Sequence, residues 1–289
     1  MSERLKDKVA FITGGASGIG EATAFLFGEH GAKIIVADID KDAALSTSRE
    51  LSASGIDSLG IQLDVTRDSD IKKAFSKAIE KFGSISILVN SAGLNPRLPS
   101  LSNKSSEEVW DRIIEVNLKG TYLTCKNVVK IMEENGSGSI INLSSIMGEV
   151  AYHSSMSNGF SAYNPSKGGV LLFTKNLAVD LAAKNIRVNC LNPGFAETPF
   201  TEALTSDAEL VQKIIDLHPI GRLAQPKEIA YCALFLASEV DIVIISSTKS
   251  KSTKNLEPSP IPWIPCSPGS PPDITGLSAG STATILILG

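Results

Sequence analysis

The chain contains 289 residues, of which 43% are hydrophobic and 20% charged, and its formal net charge is −4. This composition is typical of a globular protein with a sizeable core, and the acidic balance gives no reason to expect nucleic acid or an anionic membrane as a partner. Because the sequence has neither a long apolar run nor an apolar N-terminal segment, we expect neither a membrane-spanning helix nor a secretory signal.

Cysteine and histidine residues are few and widely spaced. The cysteines are Cys125, Cys190, Cys232 and Cys266, and the histidines are His30, His153 and His218. Their spacing matches neither a metal-binding motif nor a disulfide framework, so no metal site is expected. Cys125 and Cys190 lie in apolar patterns and are interpreted as core residues. This usage favours a reducing, cytoplasmic compartment.

Short apolar, β-branched runs alternate with stretches of helical spacing from residue 8 to about 237. The predicted strands are 9–13, 33–37, 59–63, 85–89, 139–143 and 187–191. The predicted helices lie near 19–30, 41–54, 68–82, 107–134, 162–184 and 226–237. Nearly continuous apolar strands that alternate with helices are typical of a parallel sheet covered on both faces. We therefore predict one α/β domain over residues 1–239, a doubly wound parallel sheet (Rossmann fold) in three α/β/α layers.

The last fifty residues depart from this pattern. Residues 247–273 are rich in Ser, Lys and Pro, and half of the chain's 14 prolines lie between Pro258 and Pro272. Such a composition favours neither a helix nor a central strand. We interpret 240–273 as an atypical insertion, either a genuine loop or translated non-coding sequence. The last strand of the sheet is then expected at 240–246, at 284–288 within the segment 274–289, or not at all.

The first ligand-binding candidate is the segment TGGASGIG at residues 13–20, which follows a predicted strand directly and begins a helix. Its glycines allow a tight turn and a close approach of the backbone to a pyrophosphate, and N–H groups at the helix start face the phosphates. A glycine-rich turn without a ligand is the alternative, but the strand–turn–helix context favours a dinucleotide. The candidate contacts are Gly14, Ser17, Gly18, Ile19 and Gly20.

Asp38 is the second candidate, because it stands at the end of the next strand, 18 residues after Gly20. A carboxylate at this place accepts hydrogen bonds from both ribose hydroxyls of NAD and repels the additional phosphate of NADP. Asp40 adds to that repulsion, and no Arg or Lys stands in the glycine-rich segment to offset it. A solvated turn residue is the alternative interpretation of Asp38.

The third candidate is the pair Tyr163 and Lys167, which share one face near a predicted helix start. A nearby ammonium favours the phenolate and so lowers a tyrosine pKa, which allows proton exchange with a substrate oxygen near neutral pH. By itself this spacing is a weak pattern. It gains weight because it follows a strand that ends in Asn142-Leu143-Ser144-Ser145, where a hydroxyl would point into the same cleft.

These features together resemble the short-chain dehydrogenase/reductase family over about residues 5–239. The shared motifs, in chain order, are the glycine segment 13–20, Asp64-Val65, Asn90-Ser91-Ala92-Gly93, Asn117, Ser144-Ser145, Tyr163 with Lys167, and Pro193-Gly194 with Thr198. Their number and their order make a chance agreement remote.

The resemblance implies a catalytic set of four residues. Ser145 would hydrogen-bond the substrate oxygen, and Tyr163 would transfer the proton. Lys167 would bind the nicotinamide ribose and lower the tyrosine pKa. Asn117 would hold a water molecule that links Lys167 to solvent, although a residue at a helix bend is the alternative interpretation of Asn117.

The resemblance also implies further cofactor contacts. Asp64 and Val65 would contact the adenine, whereas Thr198 and the backbone after Pro193-Gly194 would hold the nicotinamide amide. The groove would be lined by residues that follow the fourth strand, namely Asn90, Ala92 and Gly93. A helix cap at Asp64 and a plain turn at Pro193-Gly194 are the alternatives.

Two features depart from the family pattern. The spacing of 18 residues between Ser145 and Tyr163 is several residues longer than usual. The additional stretch, residues 153–160, either shapes the substrate pocket or forms an inert surface bulge. In addition, the Ile274-Thr275-Gly276 segment comes only after the Pro-rich insertion, and the usual ending of the family is not recognisable after it.

We therefore expect an NAD-dependent oxidoreductase, with NADP disfavoured, that transfers a hydride between nicotinamide and a secondary alcohol or ketone. The alternatives are a 3-oxoacyl-thioester reductase, which usually uses NADPH, and a dinucleotide-binding protein whose catalysis is impaired by the atypical tail. The resemblance implies a homodimer or homotetramer built on the helices near 107–134 and 162–184, with the last strand contributing.

Overall fold

A computed structural model describes residues 3–151, 159–238 and 284–287. The predicted insertion at 240–273, the candidate strand at 240–246 and most of the stretch 153–160 lie outside these residues. Within the described residues, parallel strands form one sheet in the order β3-β2-β1-β4-β5-β6-β7. The strands are β1 Val9–Thr13, β2 Lys33–Asp38, β3 Ser58–Gln62, β4 Ile87–Asn90, β5 Gly138–Leu143, β6 Ile186–Pro193 and β7 Thr284–Ile287. The predicted doubly wound parallel sheet is confirmed.

Helices connect the strands and cover both faces of the sheet. They are α1 Gly18–Glu29, α2 Lys41–Ala53, α3 Asp68–Phe82, α4 Ser106–Ile113, α5 Thr121–Glu134, α6 Tyr163–Leu181, α7 Glu202–Thr205, α8 Ala208–Asp216 and α9 Pro226–Ala237. Short 3₁₀ turns lie at Pro99–Leu101, Ile146–Gly148, Ala182–Lys184 and Pro199–Thr201. No helix of the described part of the chain is both long and apolar enough to cross a membrane.

The two halves of the core lie on opposite faces of the sheet. Successive side chains of a strand point to opposite faces, and both faces of β1 are apolar. Ala10 and Ile12 pack into the cluster that contains residues of α1 and α9. Val9 and Phe11 pack into the cluster on the other face, where α3, α5 and α6 contribute. Because both faces are covered by helices, the central strands are mostly apolar, and this explains why the sequence pattern located them.

The order of the strands places a ligand site between β1 and β4. The chain moves from β1 towards β3 on one side, and from β4 towards β7 on the other side. At this switch of direction the loops after β1 and β4 diverge, and they leave a crevice at the carboxyl ends of the strands. The glycine-rich segment and residues 91–98 therefore both border that crevice.

The helix predicted at 107–134 is interrupted. A π-helical segment, Ile114–Gly120, separates α4 from α5. The hydroxyl of Thr121 donates to the carbonyl oxygen of Asn117 at 2.7 Å, and the hydroxyl of Thr124 donates to that of Gly120 at 3.0 Å. These side-chain bonds stabilise a local widening of the helix that periodicity cannot reveal. Such π-segments are frequent at functional sites.

Most strands other than β1 also differ from the sequence prediction by one or two residues at one or both ends. β3 begins at Ser58, a polar residue that is buried because its hydroxyl donates to the carbonyl oxygen of Ser48 at 2.6 Å. β6 continues to Pro193 and so pairs at its end with β7. β7 lies within the candidate run 284–288, parallel to β6.

Candidate active site

A cleft of about 290 Å³ lies at the switch point between β1 and β4. It collects residues that follow β1 to β6, although these are far apart in sequence. The predicted site residues that line it are Gly14, Ser17, Gly18, Ile19, Asp38, Asp64, Val65, Ala92, Gly93, Ser145, Tyr163, Lys167, Pro193, Gly194 and Thr198. Three predicted site residues are not part of the lining, namely Gly20, Asn90 and Asn117. Each of them lies behind the surface of the cleft and contacts other elements of the fold.

The glycine-rich turn brings three backbone segments into close contact. Gly14 has a φ of +61°, and a Cβ atom at this position would lie 2.8 Å from the backbone of Ala92. A Cβ atom at Gly20 would overlap the carbonyl oxygen of Gly14. Gly20 thus permits α1 to start directly against the turn, whereas Gly14 permits the turn to approach the loop after β4. The side chain of Ser17, the first residue before α1, does not cap the helix.

Asp38 connects the end of β2 to the glycine-rich turn. One carboxylate oxygen accepts a hydrogen bond from the backbone N–H of Ala16 at 3.2 Å, and the other accepts one from Asp40 at 3.2 Å. Burial raises the pKa of the Asp38 carboxyl above its usual value, and these backbone bonds offset the effect only in part. Each oxygen retains acceptor capacity for a ligand hydroxyl. The side chain of Asp40 caps α2, because it accepts from the N–H groups of Asp42 and Ala43.

Asp64 and Val65 form the wall of the cleft after β3. Burial raises the pKa of Asp64, but hydrogen bonds from Thr66, together with the positive charges of Arg112 and Arg67, outweigh this effect, so that the net shift of the pKa is downwards. Asp64 does not cap α3, which begins after Arg67. A Cβ atom at Gly120 would lie 2.7 Å from Val65, so the π-helical segment packs directly on this wall.

Asn90 is turned away from the groove. Its amide nitrogen donates to Asn142 Oδ1 at 2.9 Å, and its Oδ1 accepts from the hydroxyl of Thr124 at 2.7 Å. Only 3% of Asn90 is exposed. Its side chain therefore joins β4 to β5 and α5, and the expectation that Asn90 lines the groove is corrected: Ser91, Ala92 and Gly93 do so. The strand pattern alone did not show to which face the amide points.

Asn117 holds the loop after β4 through both groups of its side-chain amide. Its Oδ1 accepts from the N–H of Leu94 at 2.7 Å, while its Nδ2 donates to the carbonyl oxygen of Leu94 at 2.9 Å and to Ser166 Oγ at 3.0 Å. A Cβ atom at Gly93 would lie 3.4 Å from Asn117 Oδ1 and 3.6 Å from Lys167 Nζ. Asn117 is thus beside Lys167, but behind the surface of the cleft.

The two serines after β5 have different roles. Ser144 Oγ donates to the carbonyl oxygen of Lys167 at 2.7 Å and so joins β5 to α6. Ser145 Oγ accepts from the N–H of Met147 at 3.1 Å, which leaves its own proton to donate. This geometry agrees with the resemblance, which assigns the substrate contact to Ser145.

Tyr163 and Lys167 lie on the first turns of α6 and face the same cleft. Lys167 Nζ is 5.8 Å from the centre of the Tyr163 ring and donates to the carbonyl oxygen of Leu143 at 2.8 Å. Burial lowers the pKa of Lys167 to about 8. The lysine is therefore a cation near neutral pH that gains electrostatically from any anionic neighbour.

The far wall of the cleft is formed by the segment after β6. Phe195 follows Pro193-Gly194 directly, and its N–H donates to His218 Nε2 at 3.3 Å. His218 Nδ1 lies 2.7 Å from the carbonyl oxygen of Ile214, so these two contacts assign the proton of a neutral imidazole to Nδ1. The carbonyl oxygen of Phe195 accepts from Ala224 N at 2.9 Å. His218 and Ala224 therefore fix this wall of the cleft, because they bond to the backbone N–H and the carbonyl oxygen of Phe195, respectively.

Several lining residues were not found by the sequence analysis. Among them are Leu94, Asn95, Arg97, Arg112 and Met147. The signal that could have found Asn95 and Arg97 is their position after β4, at the edge of the sheet where ligands bind.

The buried thiols are not part of this site. Burial raises the pKa of Cys125 to about 12 and that of Cys190 to about 11. Both side chains are completely buried, which agrees with their assignment to the core. In the described part of the chain, no group of His, Cys, Asp and Glu side chains has the arrangement of a metal site.

Comparisons with known proteins agree with this geometry. The family model described as enoyl-(acyl carrier protein) reductase matches residues 14–248. The 3-oxoacyl-(acyl-carrier-protein) reductase FabG of Thermotoga maritima is 41% identical over 236 residues, which cover 82% of this chain and 92% of that protein. The cis-4-hydroxycyclohexanecarboxylate dehydrogenase of Sinomonas cyclohexanicum is 37% identical over 248 residues, which cover 86% and 96%.

A solved structure shows the same fold. The crystal structure of gox2181 superposes with a TM-score of 0.74 at 32% identity, and the match covers 82% of this chain and 91% of that one. The family model spans the glycine-rich turn from Gly14 onwards and the Tyr163–Lys167 pair. The chain belongs to the short-chain dehydrogenase/reductase family of oxidoreductases.

Proposed function

We propose that the protein is an NAD-dependent oxidoreductase that interconverts a secondary alcohol and a ketone, with Tyr163 as the acid/base. The observation that carries this proposal is one cleft lined by Ser145, Tyr163 and Lys167 at one end and by Asp38 at the other. This arrangement combines a proton-transfer group with a site for an adenosine ribose. An enzyme that interconverts an alcohol and a ketone with a dinucleotide needs both the proton-transfer group and the cofactor site.

The residues present fit a nicotinamide dinucleotide. The uncapped start of α1 and the close approach of Gly14 to Ala92 leave a backbone cradle without side chains, as a pyrophosphate requires. Asp38 is positioned for the adenosine ribose, and Lys167 for the nicotinamide ribose. When bound, the cofactor supplies or accepts the hydride.

The chain's own residues handle the proton. In the reduction, Ser145 donates a hydrogen bond to the carbonyl oxygen and Tyr163 transfers a proton to it; in the oxidation, Tyr163 accepts the proton. The Lys167 ammonium, 5.8 Å from the centre of the Tyr163 ring, favours the phenolate. Asn117 is a positioning residue here, because its amide holds the loop that contains Gly93 and Leu94.

The preference for NAD rests on Asp38. Its carboxylate is held at the cleft by the N–H groups of Ala16 and Asp40, so it cannot easily turn away from a ligand. A 2′-phosphate placed beside it would meet a fixed negative charge in a partly desolvated environment. Asp40 contributes a second negative charge nearby, although its oxygens are used to cap α2.

Steady-state kinetics test this proposal. Oxidation of NADH and NADPH is measured against a panel of aliphatic and cyclic ketones, with reduction of NAD by the matching alcohols as the reverse reaction. The expected result is turnover of at least one ketone with a higher kcat/KM for NADH. A clear preference for NADPH contradicts the cofactor assignment, and no turnover with either cofactor contradicts the activity.

A second candidate is reduction of 3-oxoacyl thioesters. The observation in its favour is the 41% identity to the Thermotoga maritima reductase FabG. This reaction can use the side chains of Ser145, Tyr163 and Lys167 in the same way, since the reacting group is again a ketone. Adding acetoacetyl-CoA to the panel separates the two candidate functions. A kcat/KM for acetoacetyl-CoA far above that for simple ketones, with NADPH as the preferred cofactor, supports a 3-oxoacyl-thioester reductase.

The outer faces of α5 and α6 support an oligomer of the kind that the resemblance implies. Leu172 and Val179, seven residues apart on one face of α6, are 64% and 75% exposed, and Tyr122 on α5 is 45% exposed. Large exposed apolar side chains on neighbouring helices mark association surfaces. We propose a homodimer or homotetramer through these helices, which light scattering coupled to size-exclusion chromatography tests.

A further inference from the structure

A histidine behind the surface of the cleft supports its far wall. His218 follows α8 and is half-buried, and it is not among the residues that line the cleft. Its ring meets the ring of Phe195 edge-on, with the two centroids 5.8 Å apart. Phe195 itself lines the cleft, two positions after Pro193, the last residue of β6. The proposed proton transfer does not use His218, so any effect of this side chain on the reaction must act through Phe195.

The two ring contacts of His218 define its protonation state. Nδ1 lies 2.7 Å from the carbonyl oxygen of Ile214, which can only accept, so Nδ1 carries a proton. Nε2 lies 3.3 Å from the backbone nitrogen of Phe195, whose N–H is directed at it, so Nε2 accepts. An imidazole with one donor and one acceptor is neutral. A proton on Nε2 would set two donors against each other and break the bond to Phe195, while the bond to Ile214 would remain.

The bond to His218 holds the part of the wall that is nearest to β6. The carbonyl oxygen of Phe195 accepts from the N–H of Ala224 at 2.9 Å, and the N–H of Glu197 donates to the carbonyl oxygen of Ala224 at 2.9 Å. These two bonds fix the segment beyond Phe195. The N–H of Phe195 is the first backbone donor after Gly194, and its bond to His218 fixes that end. Under the proposed function, this end lies against the nicotinamide amide.

The charged residues on the elements around His218 have other partners. The paired groups are Glu197 with Gln225, Asp216 with Gln212, Lys213 with Glu209, and Arg222 with Glu228. Asp207 caps α8 with its carboxylate, and Glu202 is the first residue of α7. In the part of the chain that the structure describes, no carboxylate forms an ion pair with the His218 ring. The bond to Phe195 is therefore the contact that depends on the charge of the ring.

We propose that His218 is a positioning residue: its neutral imidazole fixes the Phe195 backbone in the far wall of the cleft, and proton uptake at Nε2 releases it. The effect on turnover rests on the proposed function. Histidine is the side chain that changes its charge between about pH 5 and 8. The wall should therefore be fixed at the upper end of this range and loosened at the lower end.

Two substitutions of His218 separate its two contacts. The amide oxygen of glutamine reaches about as far as Nε2, so His218→Gln keeps an acceptor for Phe195 but takes up no proton. The shorter His218→Asn keeps a donor for Ile214 but does not reach Phe195. At pH 8, the kcat/KM of the best ketone should fall about tenfold in His218→Asn, mainly through KM, and less than about threefold in His218→Gln. Equal losses in the two variants overturn the proposal.

The pH profile distinguishes this role from a merely structural one. The kcat/KM of the wild type, divided by that of His218→Gln, should fall about tenfold between pH 8 and pH 5.5. Tyr163 and Asp38 are present in both proteins, so their titration cancels in this ratio. The control is His30→Gln, which removes the histidine at the C-terminal end of α1 and should follow the wild type at every pH. A ratio of wild type to His218→Gln that is constant with pH overturns the proposal.

Amide hydrogen exchange keeps this proposal distinct from the proposed function, because it needs no turnover. Mass spectrometry follows exchange in the peptide that contains Phe195, and the wild type is compared with both His218 variants at each pH. At pH 8 the wild type should match His218→Gln, and at pH 5.5 it should approach the faster exchange of His218→Asn. This result supports the contact even if no ketone is reduced. Equal exchange in all three proteins contradicts it even if the ketone reductase activity is present.

Discussion

Lys167 Nζ lies 2.8 Å from the carbonyl oxygen of Leu143, the last residue of β5, and donates a hydrogen bond to it. Only 5% of Lys167 is exposed, and burial lowers its pKa to about 8. A buried ammonium is unfavourable, so the fold is destabilised by a residue that the proposed chemistry requires. Such conflicts between stability and function are expected at active sites.

Lys167→Met should therefore stabilise the protein without cofactor while it abolishes turnover. The folded pKa of about 8 is below the unfolded value of 10.5, so the destabilisation is complete below pH 8 and disappears as the pH rises towards 10.5. After the lost hydrogen bond to Leu143 is deducted, we expect a gain of about 2 kcal/mol in the free energy of unfolding at pH 7. The gain should be smaller at pH 10.

Urea unfolding at pH 7 and pH 10 measures this difference. The control is Lys175→Met, which removes an exposed lysine from the same helix. If the change in the free energy of unfolding depends on pH in the same way in both variants, burial of Lys167 is not the cause of the stabilisation.

Tyr163→Phe should reduce kcat by at least about a thousandfold and leave the dissociation constant of NADH nearly unchanged. The phenol is needed for proton transfer, whereas the glycine-rich turn and Asp38 provide most of the affinity for the cofactor. Fluorescence titration with NADH and stopped assays of turnover measure the two quantities. Tyr231→Phe is the control, because Tyr231 is exposed on α9 and its ring contact with the Lys227 ammonium survives the change. Ordinary activity in Tyr163→Phe would remove the basis of the mechanism.

Asp38→Asn should raise the ratio of kcat/KM for NADPH over NADH by about 10- to 100-fold, which corresponds to about 1.4–2.8 kcal/mol. The substitution removes the negative charge that faces a 2′-phosphate and keeps an acceptor for Ala16 N. Asp42→Asn, at an exposed position in the first turn of α2, is the control and should leave the ratio unchanged.

The pH dependence of this ratio provides an independent check. Because burial raises the pKa of Asp38, the carboxyl is protonated at a higher pH than an exposed aspartate. The wild-type preference for NADH should consequently weaken as the pH falls, and Asp38→Asn should not show this trend. A ratio that is constant with pH in the wild type argues against a role of the Asp38 charge.

Gly20→Ala should prevent stable folding or cost several kcal/mol, because the added Cβ atom would overlap the backbone of Gly14. Neither backbone segment can move without opening the turn between β1 and α1. Gly55→Ala is the control: its Cβ atom would meet no atom within 4 Å, but its φ is +80°. It should cost only about 1 kcal/mol through backbone strain. Thermal unfolding compares the two, and similar losses would show that the overlap at Gly20 is relieved.

The local sequence determined most of the sheet and the ends of the cleft. β1 and α3 have the bounds that the pattern predicts, because strands covered on both faces are mostly apolar and the apolar residues of amphipathic helices recur every three to four positions. The glycine-rich turn, Asp38 and the Tyr163–Lys167 pair were also found this way. Each depends on residues that are neighbours along the chain or on one helix face.

The remaining site residues were decided only by the tertiary structure. Asn95 bonds to Phe200, which is 105 positions further along the chain, and no periodicity relates such a pair. The same holds for Asn90, whose amide is used by Asn142 and Thr124, and for the π-helical interruption at Ile114–Gly120. Side-chain hydrogen bonds between distant elements select one orientation among those that the local backbone allows, so these features follow from packing rather than from sequence pattern.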